Sequence, residues 1–71
     1  MKADKLAMMA NQIAAFFKAQ GVAAAPEGVA DHLCKFWDPV MRKELCQLAS
    51  QAEHDLDPVV VRATELLRAR G

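Results

Sequence analysis

Apolar residues recur along this chain at spacings of three and four, and three prolines interrupt the pattern. In the first run, Leu6, Met9, Ile13, Phe16 and Phe17 fall within about 120° of arc at 100° per residue. A second run gathers Val29, Leu33, Phe36 and Trp37 on one face. The third has Met41, Leu45, Leu48 and Ala52, and the fourth Val59, Val60, Ala63, Leu66 and Leu67. No segment alternates with a period of two, so the pattern predicts helices near 3–20, 26–37, 39–53 and 58–70. The run Val59-Val60-Val61 suits a strand in isolation, but the preceding Asp57-Pro58 and the leucine spacing after it favour a helix.

The prolines explain where these helices begin. Pro26, Pro39 and Pro58 each stand where a first helical residue would, a position whose N–H has no partner in any case. Asp38 and Asp57 precede two of them as N-capping carboxylates. Pro26 follows Ala25, a poor cap, although Glu27 adds negative charge to that first turn. Gly21 is placed to end the first helix. The fold class is therefore all-α: a small single-domain bundle of about four helices, spanning 1–71 and joined by short Asp-Pro corners.

Composition narrows the function more than the fold. A chain of 71 residues builds one modest core and has little margin of stability. Nine basic and nine acidic residues cancel, with no basic stretch, which argues against nucleic-acid binding. The N-terminal segment has the outline of a secretory leader, but Asp4, Lys5, Asn11 and Gln12 interrupt any apolar core. No run of 18 apolar residues is present, so no membrane span is predicted and a cytoplasmic location is expected.

Candidate chemistry is sparse. Two cysteines are too few for a disulfide scaffold. His32 and Cys34 are two apart, which on a helix directs them about 160° from each other, unlike metal-ligand pairs. Cys34 and Cys46 read as isolated thiols. Ser50 and Thr64 have no nucleophile motif around them, and the three glycines form no phosphate loop. Catalytic, cofactor-binding and metal-binding residues are all expected to be absent.

Candidate contact residues are easier to name. Met8, Gln12, Ala15 and Ala19 line up opposite the main face of the first helix, where small residues allow close approach and methionine adapts to irregular surfaces. Alanine is also simply a strong helix former, so the stripe has a plain reading besides partner binding or a homodimer. His32, four residues before Phe36, suits the edge of an apolar face, with partner contact as the alternative. Trp37 shares an arc with Val29 and Leu33, which favours the core over an interface anchor. Arg42, beyond the proline and on the outward side, is a candidate for a polar partner contact. Reversing its charge is expected to leave melting nearly unchanged.

The segments "MANQIAAFF" at 9–17, "VADHLCKFWDPVMRKEL" at 29–45 and "LDPVVVRATELL" at 56–67 give the chain a likeness to a known family. Together they resemble the delta subunit of NAD-dependent, molybdenum-containing formate dehydrogenase. The spacing His-x3-Phe-Trp-Asp-Pro, His32 to Pro39, is the most specific element. Val40 departs from the basic residue expected there, and Cys34 and Cys46 match no family feature. The resemblance implies a non-catalytic accessory subunit that supports assembly, maturation or stability of a cytoplasmic complex through contact with its large catalytic subunit. It also implies that molybdopterin guanine dinucleotide, iron–sulfur clusters and FMN reside in partner subunits, with no cofactor in this chain. A free-standing helical adaptor or homodimeric interaction module, unrelated to formate oxidation, is the alternative.

If the Trp37 ring is buried, Trp37→Ala lowers stability by roughly 3–5 kcal/mol in chemical denaturation; unchanged melting with lost partner binding would make it an interface anchor.

Overall fold

Two aspartate-proline corners and one alanine-rich turn organise the chain. The computed structural model describes residues 3–51 and 54–70. Four helices follow one another: α1 (Ala3–Gln20), α2 (Ala25–Phe36), α3 (Pro39–Ala49) and α4 (Pro58–Arg70). Among the described residues there is no strand, and the bundle is all-α as the periodicity predicts. No helix in it is long and apolar enough to cross a membrane.

The starts of α3 and α4 each use an aspartate cap before a proline. The Asp38 carboxylate accepts the Met41 N–H at 2.8 Å, and that of Asp57 accepts the Val59 N–H at 2.8 Å. Each satisfies a helix N-terminal donor that would otherwise lack a partner. The start of α2 is different: Ala24 offers no side-chain cap, and Pro26 in the first turn supplies the preset backbone angle instead. Helix α3 is shorter than expected, ending at Ala49 with Ser50 as C-cap. Ala52, expected on its apolar face, lies outside the described residues.

The core consists of Leu6, Ala7, Ala10 and Ala14 from α1, Val29, Ala30 and Leu33 from α2, Leu45 from α3, and Val60 and Ala63 from α4, with Trp37 and Leu56 from the corners. On α1 this corrects the sequence reading. Leu6 is buried as expected, but Met9, Ile13 and Phe17 are only partly covered and Phe16 is 60% exposed. The buried face is turned roughly 80° from the bulky one, at 100° per residue. Alanines contribute little to a hydropathy pattern, yet they let two helix backbones approach closely, and the larger side chains are displaced to the rim. Met8, Gln12, Ala15 and Ala19 are all exposed on the far side, as the stripe predicts.

Close approach is also visible where α1 meets α2. The Phe17 ring lies over Gly28, and a Cβ added there would sit 2.6 Å from its Cδ1 and 3.1 Å from its Cγ. Since the base of the ring is involved as well as its edge, rotating the ring does not relieve the clash.

The start of α4 is tied to α1 by contacts far apart in sequence. The Asn11 Oδ1 accepts the Asp57 N–H at 2.8 Å, and its Nδ2 donates to the Asp55 carbonyl at 2.7 Å. Lys18 donates to the Asp57 carboxylate across the same junction. Asp57 thus caps α4 and pairs with α1 at once. These contacts hold its carboxyl below the ordinary carboxylate range, first through the Lys18 hydrogen bond and then through the Val59 N–H.

Asp57→Ala removes cap and ion pair together and is expected to cost ~1–2 kcal/mol. Asp57→Asn keeps the cap and loses only a partly exposed pair, about 0.5 kcal/mol. Because the pKa is depressed on folding, the unfolded chain takes up this proton at higher pH. The stability involved is complete above about pH 5 and disappears as pH falls through the folded value. Thermal melts of the wild type and Asp57→Asn across pH 2–7 should therefore converge at the acid end; a constant gap would contradict this assignment.

Candidate functional site

Pro39 decides what the two aromatics before it do. The helix that carries Phe36 stops there, and Trp37 takes an extended backbone (φ −96°, ψ 143°) while its N–H still bonds to the Leu33 carbonyl at 3.0 Å. Asp38 is extended as well, as favoured for a residue before proline. The turn separates neighbours that a continuous helix would have kept on adjoining faces. Trp37 enters the core at 7% exposure, whereas Phe36 is 73% exposed. The sequence reading that places both on the buried face is therefore right for Trp37 and corrected for Phe36.

Outside that corner, α1 and α2 leave an apolar groove of about 440 Å³ lined by Met9, Gln12, Ile13, Phe16, Phe17, His32 and Trp37. A row of rings starts in it and continues past His32 to Phe36 outside the lining. Phe16 and Phe17 meet edge-on at 5.2 Å between centroids, Phe17 and His32 edge-on at 6.2 Å, and His32 lies tilted against Phe36 at 4.7 Å. His32 is half-buried between two phenylalanines, an edge position that matches its place in the sequence pattern. Phe16 and Phe36, at the two ends of the row, face solvent. Aromatic side chains bury large areas with few rotatable bonds, so this row suits contact with apolar groups of another molecule.

Of the candidate contact residues, the groove brings together Gln12, His32 and Trp37. Met8, Gln12 and Ala15 border a second depression with Asp4, Ala7, Asn11 and Asp55, so Gln12 belongs to both. Arg42 lies elsewhere, and the outward orientation expected for it is corrected. Its guanidinium folds back over the end of α2 and donates to the carbonyls of Leu33 (3.4 Å), Cys34 (3.3 Å) and Trp37. A cation in the first turn of α3 is badly placed for that helix's dipole, but here it lies against the negative end of α2 and gives its last carbonyls a charged donor, including Leu33, which already accepts the Trp37 N–H.

Sequence reasoning overlooked Phe16 and Phe36 as surface residues because it assigned both to the core. The available signal was excess: α1 carries more bulky apolar residues than one face of a short bundle can cover.

Among the described residues no group of three or more His, Cys, Asp or Glu side chains is placed to hold a metal ion. Nor does any buried side-chain nitrogen or oxygen there lack a hydrogen-bond partner. Both cysteines are free thiols. The arrangement offers shape and apolar surface.

Fold and site together define a small helical bundle with an open aromatic groove. The family model for FdsD, the NADH-dependent formate dehydrogenase delta subunit, matches residues 5–64, and the chain belongs to that family. Comparison with curated proteins and with solved structures gave no match.

Removing the Arg42 guanidinium leaves the α2 carbonyls without a charged donor. Arg42→Ala should lower stability by ~1–2 kcal/mol, and Arg42→Glu by more because it sets a carboxylate against them. A melting temperature for Arg42→Glu equal to wild type would restore the outward, solvent-facing role.

Proposed function

We propose that this chain is a non-catalytic accessory subunit of NADH-dependent formate dehydrogenase that docks on the large catalytic subunit through its α1–α2 aromatic groove. Docking there supports assembly, maturation or stability of the complex in the cytoplasm, while molybdopterin guanine dinucleotide, iron–sulfur clusters and FMN belong to the partner subunits. The observation that carries the reading is the exposure of Phe16, which lines the groove, and of Phe36, which packs on His32 beside it, in a chain of the delta-subunit family.

The physical argument starts from cost. Two exposed phenylalanines do little for a monomer, and covering them on a partner would remove a large apolar area from water. Trp37 beneath them contributes a rigid wall rather than the main contact. The competing reading is a homodimer through the opposite stripe of α1, favoured by the exposure of Met8 beside Gln12 and Ala15. Sedimentation at micromolar concentration tests it, since a stable monomer removes the homodimer reading.

The test is co-purification of a tagged copy with the large subunit, together with formate-dependent NAD reduction in cells that lack this chain. Phe16→Ser with Phe36→Ser should weaken co-purification at least tenfold and change melting little, because both rings are largely exposed. Full recovery of partner with the double variant, or unaltered activity without the chain, would refute the proposal.

A further inference from the structure

A second groove lies on the other edge of the bundle, where the end of α2 meets α3 and the C-terminal part of α4. Its lining is Cys34, Pro39, Arg42, Lys43, Cys46, Leu67, Arg68 and Arg70, around about 470 Å³. Four of the chain's nine basic residues meet here, and no carboxylate is among the lining residues. Asp31 stands at the margin, paired with Lys35 at 3.0 Å and 3.9 Å from Arg70. In a chain with no net charge, this is a marked local separation.

The three arginines are also held in place. Arg42 is fixed on the α2 carbonyls, and Arg68 donates to the Cys46 carbonyl at 2.8 Å. Arg70 reaches the Cys34 sulfur at 3.8 Å. A guanidinium has five N–H donors, so each retains several for another acceptor while part of its ordering cost is already met. Pro39, Leu67 and the two thiols form a largely apolar floor between the charges.

We infer that this groove binds an acidic segment of the partner subunit, with carboxylates on Lys43, Arg68 and Arg70 and apolar side chains on Leu67 and Pro39. Charge complementarity identifies the occupant. The cations are divided between the start of α3 and the end of α4, which suits spaced carboxylates on a peptide better than a single small anion. The inference rests on the accessory-subunit reading for the partner's identity. The acidic contact supplies orientation and speed of association, and the aromatic groove supplies most of the burial.

Two measurements on the full 71-residue chain test it. In the first, binding to the purified large subunit is measured between 50 and 500 mM salt for wild type, Lys43→Glu, and Lys43→Glu with Arg70→Glu. Lys43 makes no hydrogen bond or ion pair to another side chain in the described structure, so the single variant should fold normally. The double variant should bind about tenfold more weakly at low salt and lose most of its salt dependence. Wild-type affinity and an unchanged salt response in both variants would overturn the inference while leaving the docking proposal intact. In the second, a hexapeptide alternating Glu and Leu is titrated into the labelled chain. Amide shifts should gather at 42–46 and 67–70 and vanish in Lys43→Glu. No shifts there, or equal shifts with inorganic phosphate at the same concentration, would overturn the acidic-segment assignment even if the large subunit does not bind at all.

Discussion

The stop that Pro39 imposes on α2 is the constraint from which most of the surface follows. A proline disfavours helical geometry in the residue before it, and here both Trp37 and Asp38 are extended. Had α2 continued, Phe36 and Trp37 would have stayed about 100° apart on one cylinder. The break sends the indole inward and leaves the phenyl outside against His32. It also exposes the last carbonyls of α2, and Arg42 returns from the next helix to meet them. One local backbone event thus closes the core, opens the aromatic groove and sets the position of the first cation in the basic one.

Around that corner the bundle is held by small residues and by a few long-range polar contacts. Ala7, Ala10, Ala14, Ala30 and Ala63 keep helix axes close, and Gly28 admits the Phe17 ring. A core rich in alanine has little apolar area to bury per residue, which makes directional contacts correspondingly important. Asn11 and Lys18 tie the start of α4 to α1 through Asp55 and Asp57. Among the described residues this is the one side-chain amide that bridges two distant parts of the chain.

The helix starts were readable in the sequence because proline and aspartate act on their immediate neighbours. Pro39 with Asp38, and Pro58 with Asp57, begin helices where a local rule places them. The face α1 buries was not readable. Its hydropathy follows Met9, Ile13, Phe16 and Phe17, whereas its packing follows three alanines with weak hydrophobic signal. Asn11 acts on residues more than forty positions away, which no periodicity encodes. Within the aromatic groove, His32 and Trp37 could be named in advance, but the exposure of Phe36 required the extended backbone at the corner. The basic groove was invisible to a count of charges, because Arg42 and Lys43 come together with Arg68 and Arg70 only when α3 and α4 pack.

The burial of Trp37 beneath the aromatic groove has an optical consequence. It is the only tryptophan, and there is no tyrosine, so ultraviolet emission above 300 nm comes from one known place in the fold. That indole forms part of the groove wall while its far side rests in the core. A molecule settling against the groove changes the polarity beside it without unfolding anything. The chain therefore carries its own fluorescent gauge of groove occupancy, and the same signal, shifted to longer wavelength, marks loss of the corner itself.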